Sequence, residues 1–483
     1  MTTVSLALLS HTNAGKTTLA RTLLRRDIGA VMDRAHVTEV AESHVLLRSA
    51  AGDELVLWDT PGFGDSVRLQ RRLAASGQPI GWLLSQVWDR FADRAFWCSQ
   101  QALRAARESA DVVLYVVNAS EDAAAGYVEP ELRILDWLGK PALVLLNQVG
   151  TQATAAEERS LVERWETVLR QHDPDGNHRV LTFDAFARCW LQEHTLLDAI
   201  AGCLTGDARL AFARLAQAWR ERDLDTLRRS AGIIAAQMAT LARDETIVAP
   251  ASLAARIGSA LQGSADTAMS PAEERARAAM LGRLDAAVRE STGALVALHG
   301  LTGSAGEEIL RQASTGFATR RAPDADKAGL WGGLVSGALT GIAADVAAGG
   351  LTFGAGAVLG GIAGALGARK LTQRYNAERG VAGDSVRWSD ESLDARLAGA
   401  VMRYLAVAHF GRGRGEFVLG EPAPRWAAAV TTAMAGNDRS ELWARLRVPD
   451  AGTTEIEDEL FELLVATLRQ LYPESSAPVL PPR

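Results

Sequence analysis

The chain has 483 residues, 48% of them apolar and 23% charged, with a formal net charge of −7. That is an ordinary globular composition, too long for one hydrophobic core, and it excludes a globally basic nucleic-acid binder. The three cysteines, Cys98, Cys189 and Cys203, lie far apart without a CxxC pair, which excludes a disulfide framework or zinc site and fits a reducing cytoplasm.

MTTVSLALLS at the start lacks a basic n-region, so no signal peptide is expected. VSLALL (4–9) reads as a short buried strand and Thr17–Arg26 as a helix. Between them, S-H-T-N-A-G-K-T fits G-x-x-x-x-G-K-[ST], with Ser10 replacing the first glycine. Only four of the 51 basic residues are lysine (Lys16, Lys140, Lys327 and Lys370), so a lysine retained here is informative. In such a loop, Asn13, Ala14 and Gly15 bring backbone N–H groups to a β-phosphate and Lys16 adds a point charge. The Thr17 hydroxyl ligates Mg²⁺, and Thr18 sits in the first helical turn. A chance G-K-T in a polar turn is the alternative; strand, loop and helix in series argue against it.

LVLWDTPG (55–62) is an apolar strand ending in D-T-P-G. Asp59 is expected to hold the Mg²⁺ shell through water, and the Gly62 amide to sense a γ-phosphate. Thr38, in AHVTEV, is spaced from Asp59 as a switch threonine that would reach the metal only when the γ-phosphate is present. Residues 64–110 are longer than a minimal domain of this kind needs and place Trp82, Trp88, Phe91, Phe96 and Trp97 at roughly helical spacing. They read either as helix packed on the sheet or as a partner surface.

SHTNAGKT, Thr38 and WDTPG together resemble the Era-type branch of the translation-factor-related GTPases. VVLYVVNAS (112–120) and ALVLLNQVG (142–150) are similar to its fourth and fifth strands. NQVG stands at the base-recognition position, and VLTFDAFARCW (180–190) places Asp184 and Ala185 in the role of the usual Ser-Ala. The resemblance covers 1–206 and implies GTP and GDP as ligands. LLNQVG, FDAFARCWLQE and a glycine-rich C-terminal stretch also resemble an uncharacterised bacterial family, in which an Era-type GTPase domain precedes a C-terminal domain of unknown function.

Two departures stand out. Asn147 is present, but Gln148 and Gly150 replace the lysine and aspartate of Asn-Lys-x-Asp, so guanine preference is inherited from the resemblance and ATP binding stays open. Phe63 follows Gly62 where Ras-like enzymes place a water-orienting glutamine. Asn13 matches the loop asparagine that ligates K⁺ in potassium-activated relatives, where the cation adds positive charge to the transition state. The alternative is that Asn13 only hydrogen-bonds its own loop.

From Gly206 onward strand signals vanish. Residues 207–244 read as a long amphipathic helix. S-P-A-E-E (270–274) is a capped helix start running to about Ala297, and 385–472 again look helical. Ala328–Ala368 carries one charge, Asp345, and glycines at four-residue spacing (333, 337, 341; 356, 360, 364), flanked by basic residues. That pattern suits a hairpin dipping into a membrane or a tightly packed soluble hairpin.

The expected architecture is an α/β P-loop NTPase domain over 1–206, with a mixed, mostly parallel sheet and helices on both faces, followed by an all-α C-terminal region. The parts of that region are a helical stretch 207–327, the glycine-zipper hairpin 328–368, a helical stretch 369–472 and a disordered tail 473–483. The expected function is a slow Mg²⁺-dependent GTPase switch, with K⁺ as a candidate activator and Lys16, Thr38, Gly62 and Asn13 around the reaction. Its expected place is the cytoplasm, with 328–368 as a candidate contact to the inner membrane or a membrane protein. The alternative is a nucleotide-binding assembly module with negligible hydrolysis, in which nucleotide governs a homodimer. No specific nucleic-acid partner is expected.

Overall fold

The computed structural model describes residues 1–25, 41–85, 93–149, 155–172, 178–183, 185, 189–248, 271–301, 384–410, 424–448 and 452–482. Two compact units emerge. One comprises Met1–Asp225, Ala408–Phe417 and Glu474–Arg483; the other comprises Thr226–Val407 and Val418–Pro473.

The first unit is built on a six-stranded sheet of order β2-β3-β1-β4-β5-β6. Its strands are β1 (Thr3–Ser10), β2 (Glu42–Arg48), β3 (Glu54–Asp59), β4 (Val112–Asn118), β5 (Ala142–Asn147) and β6 (His178–Thr182). All pairings are parallel except β2 with β3, so β2 is an antiparallel edge. The buried strands read as continuous apolar runs because both faces are covered. Alternate β1 side chains divide between two cores: Ala7 and Leu9 join Phe63, Phe96, Tyr115 and Trp165 on one face, while Val4, Leu6 and Leu8 join Leu19, Leu114, Phe212 and Trp219 on the other.

The helices of this unit are α1 (Lys16–Leu24), α2 (Ser66–Ala74), α3 (Pro79–Ser85), α4 (Arg94–Ser109), α5 (Val128–Leu138), α6 (Ala155–His172) and α7 (Trp190–Cys203). Among the described residues, the long connection after β3 carries the helices α2, α3 and α4. Phe96 is buried in the core and held between the guanidinium groups of Arg68 and Arg72, each 4.6 Å from its ring centre. Trp82 packs partly buried against the same core, which favours the packed-helix reading there; Trp88 and Phe91 lie outside the described residues.

α8 (Gly206–Ala242) is one unbroken helix, and the division between units falls within it rather than at residue 206. The reason is apolar. Ala211, Phe212, Leu215 and Trp219 belong to the core under the sheet, and Arg214 donates to Asp53 Oδ2 at 2.7 Å.

The tail also differs from expectation. Residues 473–476 form a short final helix; Val479 and Leu480 are buried, and Arg220 Nε donates to the Val479 carbonyl at 2.9 Å. Two apolar side chains and an arginine anchor give this proline-rich segment a place to pack.

The second unit holds α9 (Pro271–Leu298), α10 (Asp390–Ala408), α11 (Pro424–Met434), α12 (Ser440–Leu446) and α13 (Thr454–Leu471). The expectation of an all-helical region needs one correction: β7 (Glu245–Val248) and β8 (Asp384–Arg387) pair as a short antiparallel ladder. Four residues per strand are too few for alternation to register. Among the described residues, no helix is long and apolar enough to cross a membrane. The hairpin 328–368 and the cap Ser270 lie outside the described residues.

Candidate functional site

Parallel register brings the carboxyl ends of β1, β3 and β5 to one edge of the sheet, where ligands of such folds bind. Leu8 pairs with Asp59 and Asn118 with Asn147, so Ser10, Asp59 and Asn147 all emerge there. The loop after β1 turns through Asn13 at φ 67° and Gly15 at φ 90° into the N-terminus of α1. Glycine is required at 15 for two reasons. The backbone is left-handed, and an added Cβ would stand 2.5 Å from Asn147 Nδ2.

Lys16 is buried, and its Nζ donates to Ser10 Oγ at 2.6 Å. The serine that replaces the first loop glycine therefore supplies an oxygen to the lysine. Burial pushes the Lys16 ammonium down to about 8, and the charges of Asp59 and Glu131 offset part of that shift. Thr17 Oγ1 donates to Asp59 Oδ2 at 2.8 Å. The other carboxylate oxygen, Asp59 Oδ1, is buried without a hydrogen-bond partner. Burial raises the Asp59 carboxyl, and Lys16 and the Thr17 hydrogen bond pull against it.

This donor set fits Mg²⁺: two hard oxygen groups, one of them an orphaned buried carboxylate oxygen. Among the described residues no group of three His, Cys, Asp or Glu side chains could hold a metal unaided.

The D-T-P-G segment lies against the phosphate loop. Phe63 N donates to Ser10 O at 2.9 Å, and Thr12 Oγ1 donates to Phe63 O at 2.7 Å. A Cβ on Gly62 would sit 3.0 Å from Thr12 Cα and 3.1 Å from Lys16 Nζ, so only glycine approaches this closely. The Phe63 side chain is fully buried among apolar neighbours such as Leu69 and Leu73, away from any role in handling water.

At the end of β5, Asn147 is fully buried and acts as a staple. Its Nδ2 donates to Ala14 O at 2.9 Å, and its Oδ1 accepts from Ala185 N at 2.8 Å. Thr22 Oγ1 donates to Ala185 O at 3.0 Å, so both backbone groups of Ala185 are used inside the protein. Gln148 adopts φ 61° beside this staple, its Nε2 3.5 Å from the Cβ position of Gly15. Asn13 is exposed at the mouth, and Thr18 is buried in α1. Thr38, Gly150 and Asp184 lie outside the described residues.

The sequence reading missed one group. Glu131, on α5, is fully buried and accepts three hydrogen bonds: from His11 in the phosphate loop (2.7 Å), from Tyr115 on β4 (2.7 Å) and from Ser66 at the start of α2. The His11 ring also stacks on Tyr127 with centroids 4.2 Å apart. A carboxylate on the same helical stripe as Val128, Leu132 and Leu135 is the signal that could have revealed it.

Residues 5–148 match the family model of the 50S ribosome-binding GTPases, and residues 176–461 match that of a domain of unknown function, DUF3482. The chain belongs to the DUF3482 family. This DUF3482 protein carries an N-terminal P-loop GTPase domain ahead of its helical region. Among solved structures it is similar to Aquifex aeolicus Era bound to GDP·AlF4⁻, with 17% identity over 50% of this chain and 69% of that one and a TM-score of 0.32. Era in complex with MgGDPNP and nucleotides of 16S ribosomal RNA is similar at 16% identity over 50% and 69%, TM-score 0.32. Toc33 from Arabidopsis thaliana is similar at 15% identity over 39% and 73%, TM-score 0.26. No curated protein matches the chain.

Proposed function

We propose that this DUF3482 protein binds GTP with Mg²⁺, hydrolyses it slowly, and acts as a nucleotide-dependent switch coupled to its helical region. The observation that carries the reading is the buried Asp59 carboxylate, with one oxygen on Thr17, the other unpartnered, and the desolvated Lys16 charge nearby. The match of residues 5–148 to a GTPase family model supports the same reading. Thr17 and Asp59 would hold Mg²⁺, which neutralises charge on the β and γ oxygens. Lys16 and the backbone amides at the head of α1 grip the phosphates, and water attacks in line. Thr38 and Gly62 are the proposed γ-phosphate sensors, and Gln148 and Asp184 the proposed base contacts, Ala185 having both backbone groups already bonded to Asn147 and Thr22.

Slow turnover follows from the burial of Phe63, which leaves no side chain at that position to orient water. Asn13, exposed at the loop, is the proposed K⁺ ligand, and equal turnover in KCl and NaCl would remove that role. The decisive experiment is calorimetric titration of GTP, GDP and ATP analogues with Mg²⁺. Binding of guanine nucleotides over ATP supports the reading, and no heat with any purine triphosphate defeats it. The same burial of Phe63 favours a second reading, an assembly module that binds nucleotide, dimerises and barely hydrolyses it. Single-turnover assays separate the two: loss of γ-phosphate within minutes supports the switch, and none over hours supports the module. Coupling to an inner-membrane surface through 328–368 is part of the first reading, and fractionation with and without that segment tests it.

A further inference from the structure

The second unit contains a buried seam with more hydrogen-bond donors than acceptors. Gln237 on α8, Ser291 on α9 and Arg403 on α10 are 5%, 5% and 2% exposed. Gln237 Oε1 accepts from both neighbours, at 2.7 Å from Arg403 Nη2 and 2.8 Å from Ser291 Oγ. That single acceptor is therefore saturated, while Gln237 Nε2 and Arg403 Nε have no partner. Two helical turns earlier on α10, Arg396 is 4% exposed and lies 3.7 Å over the Trp388 ring. Its Nη1 donates to Ser392 O at 2.6 Å, and its Nε and Nη2 have no partner.

Among the described residues neither guanidinium meets a carboxylate. Burial pushes Arg403 down to about 10 and Arg396 to about 9. Other arginines of this unit are paired: Arg439 with Glu459 at 3.0 Å, Arg283 with Asp244 at 2.7 Å, and Arg447 with Asp390. A buried cation without a counter-charge is strongly unfavourable, and a guanidinium stays protonated. Water would satisfy the spare donors but leave the charge uncompensated. An anion whose oxygens only accept would do both, and the planar fork of arginine matches such oxygens.

We propose that the seam between α8, α9 and α10 binds a small oxyanion, with Arg403 Nε and Gln237 Nε2 as its donors and Arg396 as a second buried positive charge. The ligand class is a free phosphate or sulfate, or the carboxylate of a small organic acid. The site shares no residue with the nucleotide site.

The test is thermal unfolding of the full chain in phosphate, sulfate or acetate, against chloride at equal ionic strength. Wild type, Arg403→Met and Gln237→Leu are compared. Anion taken by the phosphate loop is common to all three, so the difference in slope reports the seam. Above the dissociation constant, each tenfold rise in the bound anion is expected to raise the wild-type Tm by roughly 3–5 °C relative to the variants. A slope with phosphate and sulfate alone, or with acetate alone, supports the site and names its ligand. Equal slopes in wild type and variants, or no slope with any of the three anions, overturn it. If Arg403→Met does not fold, Gln237→Leu carries the comparison.

Discussion

Replacing Asn147 by alanine tests whether the residue at the base-recognition position is first a ligand contact or first a structural staple. The substitution strands two buried groups at once, the Ala14 carbonyl and the Ala185 N–H. Each buried group left unsatisfied costs about 1–3 kcal/mol, so the nucleotide-free protein should lose roughly 2–6 kcal/mol. At about 2–4 °C per kcal/mol for a unit of this size, the Tm of the first unit should fall by roughly 4–24 °C. Asn147→Asp keeps the acceptor for Ala185 but sets a buried carboxylate oxygen against the Ala14 carbonyl, and should lose at least as much. The assay is calorimetric unfolding without nucleotide, followed by GDP titration. If Asn147→Ala melts with wild type in the absence of nucleotide, the staple is not what holds the two loops together, and the reasoning fails.

Other consequences are as direct. With Lys16 at about 8 in the folded protein against 10.5 unfolded, nucleotide affinity should be level below pH 8 and fall up to tenfold per pH unit above it. The same depression makes nucleotide-free stability rise between pH 8 and 10.5, by on the order of 3 kcal/mol, and Lys16→Met should abolish both trends in binding and melting profiles. Glu131→Ala orphans the Tyr115, Ser66 and His11 donors and should lower the urea midpoint by the equivalent of about 3–5 kcal/mol; a change under 1 kcal/mol would refute the buried network. Burial alone would raise the Asp223 carboxyl, but the Arg25 charge and the His194 hydrogen bond outweigh it and hold it at about 2, against 3.8 unfolded. Its stabilisation is therefore present above pH 4 and lost as pH falls toward 2. The stability gap between wild type and Asp223→Asn should shrink by about 2 kcal/mol over that range, as acid titration would show.

What the amino-acid sequence determined by itself is local. The loop from Ser10 to Thr17 and the strand ending at Asp59 are legible because each is a contiguous strand–turn pattern whose residue types follow from phosphate and metal chemistry. A long helix over 207–244, with at most one break, is legible from helical spacing, and the structure shows that it runs unbroken. Tertiary structure decided the rest, because it depends on residues far apart in the chain. Glu131 reads as one more surface acid of α5 until folding brings His11, 120 positions away, to within 2.7 Å. The tail reads as disordered until Val479 and Leu480 are seen buried. Nothing local marks Arg403 until its helix turns it inward against Gln237. Periodicity reports which face of an element is apolar, but only packing reports which charged group that face must enclose.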